Sequence, residues 1–177
     1  MPIVTRFALS LDGFSADPEG RPAILAAPDF DHGKTSHGIP EFNAGCEAVA
    51  MGRTTFDPAV TNEWWPWPDL DVHVLTSHPL PDGDLPSEIV AHSDPAEMAR
   101  ALRERYTKDV LLLGGPRTIT TLLDLGEVDQ VIVLVVPALL GEGLPFAQDP
   151  RKRRDLKLEG QKAYPDGTVE LAYTPAG

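Results

Sequence analysis

The sequence predicts one mixed α/β domain, a sheet with buried central strands, helices between them and antiparallel strands at its C-terminal edge. Three observations carry that reading. Residues 110–113 and 130–136 are short and almost wholly apolar, as strands covered on both faces are. Residues 95–106 and 118–125 are helical stretches with recognisable start and stop signals. Residues 156–173 alternate apolar and polar about Pro165-Asp166-Gly167, which reads as a hairpin.

Taken in order, residues 3–11 read as a strand ending at the turn dipeptide Asp12-Gly13. Residues 14–40 are rich in Gly, Pro, Asp and His and read as a long irregular segment, with no uninterrupted helix past Gly33, Gly38 and Pro40. Residues 47–51 form a short apolar run that stops at Gly52, with a helix to follow. Residues 57–71 contain Trp64, Trp65, Pro66, Trp67 and Pro68, and read as non-helical. The tryptophans are read as a lid packed over a sheet edge, a stacking platform being the alternative. Residues 72–76 and 89–90 are further strands. Asp94-Pro95-Ala96-Glu97 opens the next helix, with Asp94 as N-cap and Pro95 in the first helical position. Gly114-Gly115 ends the 110–113 strand, and Gly126 caps the helix over residues 118–125.

Composition narrows the function classes. The chain has 177 residues and a formal net charge of −12, which disfavours nucleic acid or an anionic membrane as partner. A small anionic ligand remains compatible where a pocket supplies helix N-termini and arginines. Cys46 is the one cysteine, so no internal disulfide or cysteine metal cluster can form, and it reads as an inert buried thiol. The N-terminus lacks the pattern of a signal peptide and no apolar run is long enough to span a bilayer, so a cytoplasmic location is expected. His32 and His37, with Asp29 and Asp31 nearby, are too irregularly spaced for a metal site, and none is expected. The basic run at residues 151–154 reads as a solvated loop.

Three predicted strands end in small or hydroxyl residues where the chain turns: Met51-Gly52-Arg53-Thr54-Thr55, Leu75-Thr76-Ser77 and Leu113-Gly114-Gly115. Any one of these is ordinary turn chemistry. Together they describe a crevice at the carboxyl ends of strands, where open α/β sheets bind ligands. Glycine lets backbone N–H groups approach phosphate oxygens, Gly52 and Gly114-Gly115 each precede a helix, and Arg53 can pair with a phosphate. Neither G-x-G-x-x-G nor G-x-x-x-x-G-K-[ST] is present, which disfavours the standard Rossmann and phosphate-loop folds.

These elements occur in a recognisable order. Residues 8–16 (Ala-Leu-Ser-Leu-Asp-Gly-Phe-Ser-Ala), Met51-Gly52-Arg53-Thr54-Thr55-Phe56, Leu75-Thr76-Ser77 and Gly114-Gly115 come first. Val136-Pro137-Ala138-Leu139-Leu140-Gly141-Glu142-Gly143 then follows, with Phe146 close behind. Together they resemble the dihydrofolate reductase-like family, on the branch of the riboflavin-biosynthesis reductase domain and its free-standing relatives, over nearly the whole chain. The resemblance implies a three-layer fold with a mostly parallel central sheet, helices on both faces and an antiparallel C-terminal hairpin, as a single domain over residues 1–177. It implies NADPH as cofactor, a small heterocyclic (pterin- or pyrimidine-like) or carbonyl substrate reduced by hydride transfer, and a homodimer.

Carried over residue by residue, Gly52, Arg53, Thr54 and Thr55 would hold the cofactor phosphates, and Thr76 and Ser77 would flank the adenosine ribose. Gly114, Gly115, Arg117 and Thr118 would cradle the pyrophosphate. Ala8, Ser15 and Ala16 would line the nicotinamide amide, with Gly141 and Gly143 closing the loop nearby. The chain departs from true dihydrofolate reductases in lacking a Pro-Trp pair before a helix between residues 14 and 50. Candidate proton donors are Asp12, Asp29 and Asp31, with Asp12 also readable as a structural turn residue. A true dihydrofolate reductase and a non-catalytic nucleotide-binding protein are the two alternatives.

Overall fold

The structure, a computed structural model, describes residues 1–28, 30, 37–61, 65–81, 88–146 and 152–176. Its strands are β1 (Ile3–Ser10), β2 (Phe14–Ala16), β3 (Cys46–Gly52), β4 (Asp71–Leu75), β5 (Ile89–His92), β6 (Asp109–Gly114), β7 (Gln130–Val136), β8 (Leu144–Pro145), β9 (Leu156–Ala163) and β10 (Val169–Pro175). The α-helices are α1 (Ile39–Ala44), α2 (Arg53–Val60), α3 (Pro95–Arg105) and α4 (Pro116–Asp124), and Ala23–Ala26 forms a short 3₁₀ turn. One eight-stranded sheet runs β5-β4-β3-β6-β1-β7-β10-β9, and β2 and β8 form a separate small ribbon. The neighbours from β5 to β7 pair in parallel, whereas β10 is antiparallel to both β7 and β9.

Period-2 alternation sorts the side chains of the central strands onto two buried faces. Ala48, Ala50, Val110 and Leu112 pack with Met98, Ala99 and Leu102 of α3 and Ile119 and Leu122 of α4. Val49, Met51, Val72, Val74 and Leu111 point the other way, against Phe56 and Ala59 of α2 and Trp67. Helices thus cover both faces, as the apolar runs in β3 and β6 require. Each fully buried Val or Leu contributes ~1.5–3 kcal/mol, so these two layers hold the sheet in place. Trp67 is a core residue, its carbonyl accepting the Trp65 indole N–H at 3.0 Å, so these two tryptophans pack against the core; Trp64 lies outside the described residues.

Two element readings need correcting. α2 continues through Pro58 to Val60, although the sequence marks residues 57–71 as non-helical. The burial of Phe56 and Ala59 outweighs the one intrahelical bond that Pro58 removes. Pro40 does not break a helix either: it sits in the first turn of α1, where its missing N–H costs nothing. Gly38, at φ 71°, marks the start of α1 and keeps the preceding described residues out of it.

Candidate functional site

α2 and α4 start from neighbouring strands and leave in opposite directions. From β3 the chain turns through α2 to β4 on one side; from β6 it turns through α4 to β7, beyond β1 on the other. The helices pack on opposite faces, so the strand order reverses between β3 and β6, and that reversal opens a crevice at their carboxyl ends. The crevice is a cleft of about 220 Å³ lined by Gly52, Arg53, Thr54, Leu75, Arg117, Thr118 and Thr121.

The helix starts here are left open. α3, away from the cleft, has its first turn capped by Asp94, which accepts the Glu97 N–H at 2.8 Å. α2 and α4 have Gly52 and Gly115 at the N-cap and no side-chain cap. The positive ends of their dipoles meet at the cleft, an arrangement that favours an anion, although in α4 Pro116 has no N–H and the Thr118 N–H donates to the Gly115 carbonyl at 3.0 Å. Gly52 is required by close approach: a Cβ there would lie 2.5 Å from Thr118 Oγ1. Gly114 adopts φ 134°, which favours glycine, and the Gly114–Gly115 peptide is cis. A Cβ on Gly115 would meet Thr55 Oγ1 at 3.5 Å, so both helix starts converge on one small space.

Charge at the cleft is unevenly committed. Arg53 Nε donates to Asp57, and its Nη1 donates to the Pro79 carbonyl at 2.6 Å, tying α2 to the loop after β4. Arg117 is exposed on the rim and has no ion pair among the described residues. Thr76 Oγ1 bonds within its own turn, to the His78 N–H and carbonyl, while Ser77 is exposed. In the sequence Leu75 stands out only as part of the strand-end motif, with no binding role, and Thr121 does not stand out at all. Thr121 lies one helical turn beyond Thr118, a spacing that could have revealed it.

The remaining predicted residues form a second group at the same sheet edge. Ala8 is buried in β1 beside Leu134 of β7. Beyond these strands the β2–β8 ribbon is closed by Ser15 Oγ donating to the Leu144 carbonyl at 3.0 Å. Gly143 has φ 145° and passes so close to Ala16 that a Cβ would overlap the Ala16 carbonyl oxygen. Asp12 clasps the two segments, accepting the N–H groups of Leu140 at 3.1 Å and Gly141 at 2.8 Å. The Ser10 hydroxyl and those N–H groups lower its pKa to about 2. At neutral pH the Asp12 carboxylate is ionised and engaged in holding the ribbon. Asp29 and Asp31 lie outside the described residues.

The two groups face one contiguous edge. β4, β3, β6, β1 and β7 are sheet neighbours, and four inter-strand steps of ~4.8 Å span about 19 Å. That span suits an elongated ligand.

The sequence profile of the RibD C-terminal domain matches residues 2–169. The chain belongs to the RibD C-terminal domain family. It is 26% identical over 98% of its length to the uncharacterized protein YwjB of Bacillus subtilis, covering 97% of that protein. Among solved structures it superposes on a putative riboflavin biosynthesis protein from Shewanella sp. PV-4 with a TM-score of 0.83 at 22% identity, covering 100% of both chains. It also superposes on dihydrofolate reductase from Enterococcus faecalis, a complex with NADP(H), with a TM-score of 0.67 at 15% identity, covering 99% and 97% of the two chains. The fold is therefore dihydrofolate reductase-like, with the mostly parallel central sheet, two helical layers and C-terminal hairpin that the resemblance implied.

Other chemistry-bearing groups are committed elsewhere. Cys46 is buried, and desolvation pushes its thiol up to about 11, as an inert core cysteine requires. His37 Nε2 pairs with Asp166 at 2.8 Å, and no metal-binding group is found among the described residues. Lys152 and Arg154 of the basic run both pair with Asp124. No described helix is long and apolar enough to cross a membrane.

Proposed function

We propose that this protein is an NADPH-dependent reductase that transfers hydride to a small pterin- or pyrimidine-like heterocycle or to a carbonyl compound. The observation that carries the reading is the cleft between two uncapped helix starts at the strand-order reversal, with Arg117 on its rim in no ion pair among the described residues. The Gly52–Thr118 approach leaves a backbone-lined cradle fitted to a phosphate, so the residues present suit a dinucleotide. Gly52, Thr54, Thr55, Gly114, Gly115, Arg117 and Thr118 would hold its phosphates, and Thr76 and Ser77 its adenosine end. NADPH, when bound, supplies the hydride.

The chain's own part is to bind, orient and exclude water. Ala8, Ser15, Ala16, Gly141 and Gly143 would form the wall at the reacting end. Asp12, ionised and engaged, acts there as a clasp, which leaves Asp29, Asp31 or an ordered water as the source of the proton that completes the product. The family match and the NADP(H) complex of the Enterococcus reductase support the cofactor. A two-fold homodimer is part of the same proposal.

The test is NADPH oxidation, followed by absorbance, against a panel of pterins, pyrimidines and carbonyl compounds. Turnover of a panel member is expected, with dihydrofolate far below the enzyme median of ~10 s⁻¹. A kcat for dihydrofolate near that median, abolished by Asp29→Asn or Asp31→Asn, would make it a dihydrofolate reductase. Tight NADPH binding with no turnover of any panel member would make it a nucleotide-binding protein.

A further inference from the structure

A hydrogen-bonded chain of four side chains crosses the sheet along β4. Asp71, the first residue of β4, accepts from the Tyr106 hydroxyl at 2.9 Å. The Tyr106 oxygen lies 2.7 Å from His73 Nε2, and His73 Nδ1 lies 2.8 Å from His92 Nε2. His73 is 1% exposed, stacked on His92 and edge-on to Tyr106. At the amino edge Arg105 bridges Asp71 and Glu88. At the carboxyl edge His92 ends β5 beside Leu75, a residue of the cleft, and its carbonyl accepts the Thr76 N–H at 2.8 Å.

The proton positions follow by elimination. Ionised Asp71 can only accept, so Tyr106 donates to it. The Tyr106 oxygen then accepts from His73 Nε2–H. Neutral His73 has a bare Nδ1, which accepts from His92 Nε2–H. Neutral His92 keeps a bare Nδ1, and no hydrogen bond to it is found among the described residues. A proton added to His73 would set two N–H groups against each other. A proton added to His92 Nδ1 breaks nothing. The relay has one vacant proton position, on the residue that ends β5 beside Leu75 of the cleft.

The surroundings keep that position empty at neutral pH. Burial lowers the pKa of both imidazoles, His73 to about 4, while Glu97 at the start of α3 pulls His92 the other way. The other charged groups facing the pair are Asp71, Glu88 and Arg105, all on the His73 side. An anion docked at the carboxyl end of β4 and β5 favours the charged imidazole.

We propose that His92 is a proton-linked specificity residue of the cleft, taking up a proton at Nδ1 when a phosphate monoester of the bound nucleotide lies beside it. This rests on the dinucleotide reading above. It makes discrimination between NADPH and NADH depend on pH, stronger at pH 6 than at pH 8.

The experiment is titration calorimetry of NADPH and NADH at pH 6 and 8, in buffers of different ionisation enthalpy, on wild type and His92→Gln. Glutamine keeps an N–H donor for His73 but has no place for the extra proton. The wild-type minus His92→Gln difference cancels any proton change on the phosphate itself. Expected are proton uptake with NADPH but not NADH, its loss in His92→Gln, and about ten-fold weaker NADPH binding by the variant at pH 6 with NADH unchanged, the size of one charge-assisted hydrogen bond. NADPH binding without uptake, or uptake that persists in the variant, overturns the proposal and leaves the dinucleotide reading standing. Failure of both nucleotides to bind overturns that reading and this proposal with it. Imidazole nitrogen NMR on the wild type provides a check that needs no variant. It is expected to show Nε2–H tautomers for both histidines in the free protein and cationic His92 in the NADPH complex; an unchanged neutral His92 refutes the assignment.

Discussion

Two side-chain positions separate binding from support at the residue scale. In Gly52→Ala the new methyl meets Thr118 Oγ1 at 2.5 Å, inside any ordinary contact. Calorimetry is expected to show NADPH affinity reduced ten-fold or more, since the cradle must open by several tenths of an ångström. Adding Thr118→Ala removes that oxygen and leaves the nearest Thr118 atom at 3.7 Å, so the double variant is expected to bind no more weakly than Thr118→Ala alone. Additive losses in a double-mutant cycle would show that the two residues do not share a cradle. Asp12→Asn addresses the clasp. A carboxyl with a pKa of about 2 does not titrate between pH 4 and 9, so the variant is expected to keep the wild-type shape of its pH–rate profile. Loss of one limb of that profile would identify Asp12 as the proton donor. Glycine at position 52 was legible because strand, glycine and helix adjoin in sequence. Its partner Thr118 and the engagement of Arg53 with Pro79 were not, because those contacts span 66 and 26 residues.

Short-range chemistry explains which elements could be read ahead. The Asp94-Pro95 cap of α3, the Gly126 stop of α4 and the turn of the β9–β10 hairpin are each settled within a few neighbouring residues, and all are present. Residues 57–60 are helical, against the non-helical reading of 57–71, because tertiary burial outweighs local propensity. The docking of α3 on β4 through Tyr106 and His73 yields a prediction with a definite sign. The His73 pKa falls from 6.5 unfolded to about 4 folded, so the unfolded chain binds more protons between those values. Stability contributed by neutral His73 is complete above pH 6.5 and is lost as pH falls toward 4, amounting to about 2 kcal/mol at pH 5. Urea unfolding at pH 7.5 and 5 is expected to show this loss in wild type and a flatter dependence in His73→Gln. Parallel pH dependences in the two proteins would remove His73 as the cause.

For the whole molecule, one face of the C-terminal half of the sheet carries no helix among the described residues, although Phe146 stacks on Phe7 there at 4.4 Å and Phe7, Val133 and Tyr173 adjoin the α3–α4 core layer. In register, Phe7, Val133 and Leu171 stand in one row and Leu9, Val135 and Val169 in the next, with Tyr173 and Leu158 beyond, all only partly buried or exposed. Leu158 is 49% exposed and Leu156 40%, in a sheet whose other end is closed on both faces. An apolar face of this kind is a natural two-fold contact. Light scattering at low micromolar concentration is expected to give twice 19.2 kDa, reduced toward a monomer by Leu158→Lys. A wild-type monomer would reject the dimer.

The sequence by itself determined the class of sheet, most strands and helices, and the three strand ends that carry the cleft, because hydrophobic period, caps and turn residues act over a few positions. Only the tertiary structure decided which strand ends lie together, that the helix starts on either side of the strand-order reversal stay uncapped, and that Asp12 is engaged as a clasp. It also decided that His73 and His92, two unremarked histidines 19 residues apart, share one relay. Those outcomes depend on strand order and on contacts between distant segments, and local composition holds no record of either.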